Sequence, residues 1–196
     1  MGRSMRYIIA VFVLAALFAP SAIPAKAESP NVEFAAAIGR MGYGRCHMDG
    51  CGFFIIDAVA PIGSSKNGAL FAVSSRNWQA IYRRTNDGHE YSRKPISASK
   101  PENTITLVFC SKTSPDILYF LDGKWQDAPL RPGDADAVFG ANESSYTFYY
   151  AACHNLITQD AVLPADLAKK LGYAFHGGFP DGAGGSGERQ PLDLLK

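Results

Sequence analysis

The sequence predicts an α+β domain made mainly of antiparallel β-sheet, with one or two short helices and stabilisation by disulfides. Three observations carry this. Apolar, β-branched and aromatic runs of strand length alternate with clusters of Gly, Pro, Asn, Asp and Ser. Asp122-Gly123 sits between two such runs, and a two-residue hairpin turn favours this pair because it requires positive φ. The four cysteines, an even number, all follow an N-terminal segment with the features of an export signal.

That segment has three zones. Arg3 and Arg6 precede the apolar run from Tyr7 to Phe18. At 12 residues the run falls short of the roughly 20 that a spanning helix needs. Pro20 then breaks the helix, and Ala25-Lys26-Ala27 places small residues where a signal peptidase reads. Residues 1–27 are therefore expected to be a cleaved signal peptide, and the chain to be exported, either periplasmic or secreted. No later segment approaches spanning length, so no membrane span is expected after cleavage. Residues 28–176 are expected to form one globular domain, and 177–196, rich in Gly and Pro, a flexible tail.

Ser29-Pro30 suits a helix start, and Val32 to Ile38 reads as a short helix stopped by Gly39, Gly42 and Gly44. Gly52 to Val59 reads as a buried strand bounded by Pro61, and residues 63–68 as a turn. Leu70 to Ser74 and Trp78 to Arg83 read as two further strands, residues 85–103 as a polar loop, and Thr104 to Cys110 as the clearest strand. Ile117 to Leu121 and Lys124 to Gln126 flank the Asp122-Gly123 turn. Tyr146 to Ile157 supports both a strand, by its aromatic content, and a helix with Phe139, Tyr146, Tyr150, Cys153 and Ile157 on one face and Asn142 as cap. Ala165 to Leu171 is a short helix: Pro164 starts it, Asp166 and Lys169-Lys170 complement its dipole, and Gly172 ends it.

For an exported chain, Cys46, Cys51, Cys110 and Cys153 read as two disulfides. The preferred pairing is Cys46–Cys51, across a glycine-containing turn, and Cys110–Cys153, between two apolar segments. Cys46-His47 and Cys153-His154 also offer metal-ligand types, but no Cys-x2-Cys pair is present, so neither metal nor cofactor is expected.

Net charge is +1, which argues against a nucleic-acid partner. The charge is uneven: about +4 from Arg76 to Lys112 and about −6 from Asp116 to Asp166 by formal counting. Arg76, Arg83, Arg84, Arg93 and Lys94 form a candidate patch for an anionic partner, with two opposed solvated faces as the simpler explanation.

No catalytic pattern is complete. Gly184-Gly185-Ser186-Gly187-Glu188 lacks the last glycine of a serine-hydrolase elbow, and the loop at 63–68 lacks the Lys-Ser/Thr of a phosphate loop. His176-Gly177-Gly178 is not followed by a serine elbow on a packed element. Cys46-His47 and Cys153-His154 would point to opposite faces of a strand. Asp134 and Asp136 offer a carboxylate pair for a cation or a glycosidase-like reaction, and also read as solvated loop acids. Asn142-Glu143-Ser144 is a glycosylation sequon, relevant only in a eukaryotic secretory pathway. The sequence therefore points to a non-catalytic binding or inhibitor-type domain with an extracellular protein or glycan as partner. The alternatives are a small exported hydrolase using histidines and carboxylates, and a structural envelope component.

Overall fold

A computed structural model describes residues 34–82, 95–174 and 187–196. The expected signal peptide, residues 1–27, lies outside them.

One twisted, seven-stranded antiparallel sheet dominates. Its strands are β1 (Met41–His47), β2 (Gly50–Ser65), β3 (Gly68–Ile81), β4 (Ser97–Ala98), β5 (Glu102–Ser111), β6 (Asp116–Leu121) and β7 (Lys124–Pro129). The order across the sheet is β1-β2-β3-β5-β6-β7, and β4 pairs with the far end of β3. The helices are α1 (Glu143–His154) and α2 (Ala165–Lys170). This is the mainly antiparallel, disulfide-bridged α+β class that the sequence predicts.

The helix expected from Val32 to Ile38 is not found in its described part. Ala35 and Ile38 make isolated parallel bridges to His154 and Ile56, and Gly42 and Gly44 lie inside β1 instead of terminating a helix. Gly42 faces Phe54 across the ladder, and a Cβ there would fall inside the Phe54 ring. β2 runs past Pro61 to Ser65 because β1 pairs with it only as far as Ile55. Beyond that point no described strand pairs with the outer side of β2, and proline is tolerated on such an edge. The two strands expected at 70–74 and 78–83 are one, β3. Its polar centre is satisfied from its neighbours: Ser75 shares a hydrogen bond with Thr104, and Arg76 forks onto Asp57 at a β2 bulge. Asp122 and Gly123 have φ of 51° and 80°, the left-handed backbone of the expected β6–β7 turn.

α1 resolves the ambiguity at Tyr146–Ile157 in favour of a helix, ended by Asn155 at φ 51°. From Tyr146 to Cys153 every residue is buried, so no polar stripe marks helical periodicity. The surrounding aromatic and apolar residues fit a strand equally well. Tyrosine serves here where phenylalanine would not. The Tyr146 hydroxyl accepts from the Arg131 amide (3.1 Å), Tyr149 donates to the Ser111 carbonyl (3.0 Å), and Tyr150 donates to the Ala161 carbonyl (2.8 Å). Burial pushes all three phenols up, Tyr146 to about 12, so they act as neutral donors that tie loops to the core.

Alternation along the strands gives the sheet two apolar faces. On one, Phe54, Ile56, Val73, Val108, Cys110 and Ile117 pack against α1. On the other, Leu70, Leu107, Phe109 and Leu118 form a second cluster, capped by Leu194 and Leu195 from a 3-10 turn at Pro191–Leu195. Of the tail expected over 177–196, residues 187–196 meet the sheet through Leu194 and Leu195, and residues 175–186 lie outside the described residues. The Asp127 amide donates to the Gly187 carbonyl (2.8 Å) and the Gly187 amide to the Asp127 carboxylate (2.7 Å), Glu188 bridges to Gln126, and Arg189 reaches the buried Asp116 (2.9 Å) and Asp127 (3.4 Å). Glycine content hides this docking in the sequence, because the apolar anchors are only a short Leu pair after the glycines.

Candidate functional site

A groove of about 600 Å³ opens on the helix-bearing face where the N-terminus of α1 overhangs β1, β2 and β3. Two glycines on adjacent strands make the space. A Cβ at Gly44 would lie 3.0 Å from the Ser144 hydroxyl and 3.4 Å from the Gly52 backbone. The antiparallel register then brings Asn77 opposite Phe54 and continues across to Thr106 and Tyr119.

The groove's chemistry is mostly uncharged and polar, set beside aromatic rings. Phe54 and Phe148 stack edge-on with centroids 5.0 Å apart at its inner end. Asn77 donates to Ser75 (3.1 Å) and Thr104, the Gln79 amide donates to Ser99 (3.0 Å), and the Ser144 hydroxyl accepts from the Arg45 amide (2.8 Å). Gln79, Thr106 and Ser145 line the same groove. Glu102 is the one carboxylate among the described lining residues, and no lysine, arginine or histidine is among them. Sequence reading missed these residues. The one available signal, glycine at positions 44 and 52, reads as turn chemistry until the strand pairing is known.

The residues singled out by sequence are dispersed. Cys46 bonds to Cys51 and Cys110 to Cys153, so no described cysteine is free for metal or nucleophilic chemistry. Among the described residues no group of three or more His, Cys, Asp or Glu is placed to hold a metal ion. Of the proposed basic patch, Arg76 pairs with Asp57 at 2.8 Å, while Arg83, Arg84, Arg93 and Lys94 lie outside the described residues, as do His89, His176 and Ser186. Asp134 is buried, accepts the Asp136 amide (3.1 Å) and pairs with Arg131; Asp136 is exposed. That is the capping of a 3-10 turn, not a carboxylate pair facing a cleft. Asn142 does not cap α1 through its side chain, which instead accepts from the Phe139 amide and donates to the Ala137 carbonyl.

The two described histidines have no carboxylate at their rings. His47 is exposed, with Nδ1 3.0 Å from the Arg45 guanidinium. His154 is half-buried, its Nε2 2.5 Å from the Tyr173 hydroxyl. Tyr173 donates onward to Tyr149, and Tyr149 to Ser111, so a consistent chain requires the hydrogen of His154 on Nε2. Burial, aided by the nearby Lys112 charge, lowers the His154 pKa to about 4, which keeps the ring neutral at ordinary pH.

These features define a helix-on-sheet, disulfide-bridged domain with an open polar-aromatic groove. No protein-family model matches the chain, and neither a curated protein nor a solved structure matches it. Among the described residues no helix is long and apolar enough to cross a membrane.

Proposed function

We propose that this chain is an exported, non-catalytic binding domain that acts in the cell envelope or outside the cell, and that the groove beside the α1 N-terminus holds a glycan. The lining of that groove carries the reading. A sugar presents hydroxyls that both donate and accept, and a flank of C–H groups that lies well against an aromatic ring. Gln79, Thr106 and Ser145 supply uncharged donors and acceptors, and Tyr119, the exposed aromatic of the lining, supplies a ring. Two disulfides suit an oxidising compartment and agree with the leader at 1–27.

The test is a screen of envelope and extracellular oligosaccharides, followed by titration calorimetry of any that bind. One structural class should bind saturably. Gln79→Ala and Thr106→Val, both at the groove, should each weaken it several-fold without moving the unfolding midpoint. Binding of no glycan at millimolar concentration, or unchanged affinity in both variants, would overturn the assignment. Release of reducing ends from a bound glycan, lost in Glu102→Gln, would replace it with the hydrolase reading.

A further inference from the structure

At the far end of the long β2–β3 hairpin lies a second groove, about 540 Å³, with different chemistry. Phe34, Pro61, Ile62 and Phe71 form its apolar wall, and Lys66 and Lys112 stand at it with no carboxylate among the described lining residues. The groove exists because β1 pairs with β2 only as far as Ile55 and the β2–β3 register shifts at Ile62, so among the described residues no strand flanks this outer edge of β2. Ile62 is left 44% exposed.

Lys112 is the decisive residue. It follows buried Ser111 at the end of β5, so its backbone is held by the core. Its ammonium lies 5.0 Å from the Tyr173 ring centroid and 5.6 Å from that of Phe34, and no carboxylate among the described residues acts on it. Aromatic faces attract a cation by about 0.5–2 kcal/mol but leave its charge uncompensated. Burial pulls the Lys112 pKa down, as expected for a cation short of a counter-charge.

We propose that this groove binds a free single-chain fatty carboxylate, with its head on Lys112 and its chain along the Phe34–Pro61–Ile62–Phe71 wall. At roughly 30 Å³ per small group, the volume takes on the order of eighteen non-hydrogen atoms, enough for a twelve-carbon acid. A carboxylate fits better than a phosphate because Lys112 is the half-buried cation at the rings, Lys66 is exposed to solvent, and the lining has no arginine fork. The site does not depend on the glycan groove, which opens elsewhere on the sheet.

The experiment is calorimetric titration of the purified chain with dodecanoate below its micellar concentration, alongside dodecanol and dodecyl phosphate. Dodecanoate should bind with a stoichiometry of one and at least tenfold more tightly than dodecanol. Lys112→Met should lose at least tenfold in dodecanoate affinity while Lys112→Arg stays within threefold. Ile62→Asp, on the exposed wall, should also abolish binding and provides the check if Lys112→Met does not fold. Equal binding of dodecanol and dodecanoate, or an unchanged Kd in folded Lys112→Met, overturns the site. Dodecyl phosphate binding more than tenfold tighter than dodecanoate overturns the carboxylate assignment.

Discussion

Arg189→Met tests whether the C-terminal segment is held by charge. Asp116 is almost fully buried; its carboxylate accepts from the Ala128 amide (3.1 Å) and from Arg189 (2.9 Å), while Asp127 shares the same guanidinium. Burial and the neighbouring Asp127 push the Asp116 carboxyl up to about 7, with Arg189 and the Ala128 amide opposing. The native pKa exceeds the unfolded one, so the folded state binds more protons between about pH 4 and 7. This group's contribution to stability therefore falls as pH rises through that window. Removing Arg189 raises the carboxyl further and extends the fall to higher pH. The deficit of the variant should be small at pH 5, where Asp116 is protonated in both proteins and only the contact with Asp127 is lost. It should open above pH 7.

Breaking a fully buried pair costs about 3–5 kcal/mol. The Arg189 side chain is 42% exposed, so solvent screening reduces this to about 2 kcal/mol at pH 8. With a urea slope of about 2 kcal/mol/M, the midpoint should drop by about 1 M at pH 8 and by less than half of that at pH 5. Urea denaturation followed by tryptophan fluorescence at both pH values measures it, since the Trp125 carbonyl accepts from the Arg189 amide (3.2 Å). An equal deficit at the two pH values would refute the charge argument and leave Arg189 with packing alone.

Three further outcomes are expected. Loop entropy gives about 4 kcal/mol for Cys110–Cys153, which closes a separation of 43 residues, against about 2 kcal/mol for Cys46–Cys51, which closes 5. The paired Cys→Ala variants should therefore lose stability in that order in denaturant titrations, and the reverse order would contradict it. Gly68→Ala places a Cβ 2.5 Å from the Cys110 carbonyl oxygen, a backbone atom that cannot swing away. Overpacking of this kind costs about 1–3 kcal/mol, so calorimetry should show Tm lowered by roughly 3–10 °C. Truncation after Gln190 removes Leu194 and Leu195 from Leu70, Leu107, Phe109 and Leu118, and should raise binding of an apolar dye to the native state. Unchanged dye fluorescence would mean that this face does not need its cap.

The strands and turns are legible in the sequence because their causes are local. The Asp122-Gly123 turn follows from two residues that tolerate positive φ, and Thr104–Cys110 from side chains that suit a pleated, buried surface. α2, between Pro164 and Gly172, follows from its caps in the same way. Pro61 misleads because its effect depends on whether a neighbouring strand needs its amide, and the missing neighbour is a property of the sheet. The Tyr146–Cys153 segment is a helix only once the sheet face and surrounding loops are there to bury it on every side. The same holds for the C-terminal residues, which few local signals order and which Asp116, Asp127 and the second sheet face dock.

Neither groove is written as a motif. The first needs Gly44 beside Gly52 under α1, the second needs Lys112 between Phe34 and Tyr173, residues separated by much of the chain. Composition and local pattern by themselves determined the fold class and the cysteine count, which are short-range properties. The preferred pairing, Cys46–Cys51 and Cys110–Cys153, is the one found. Tertiary structure alone decided which face the C-terminus covers and where uncompensated charge meets an apolar wall, because burial and long-range contact exist only after the sheet has formed.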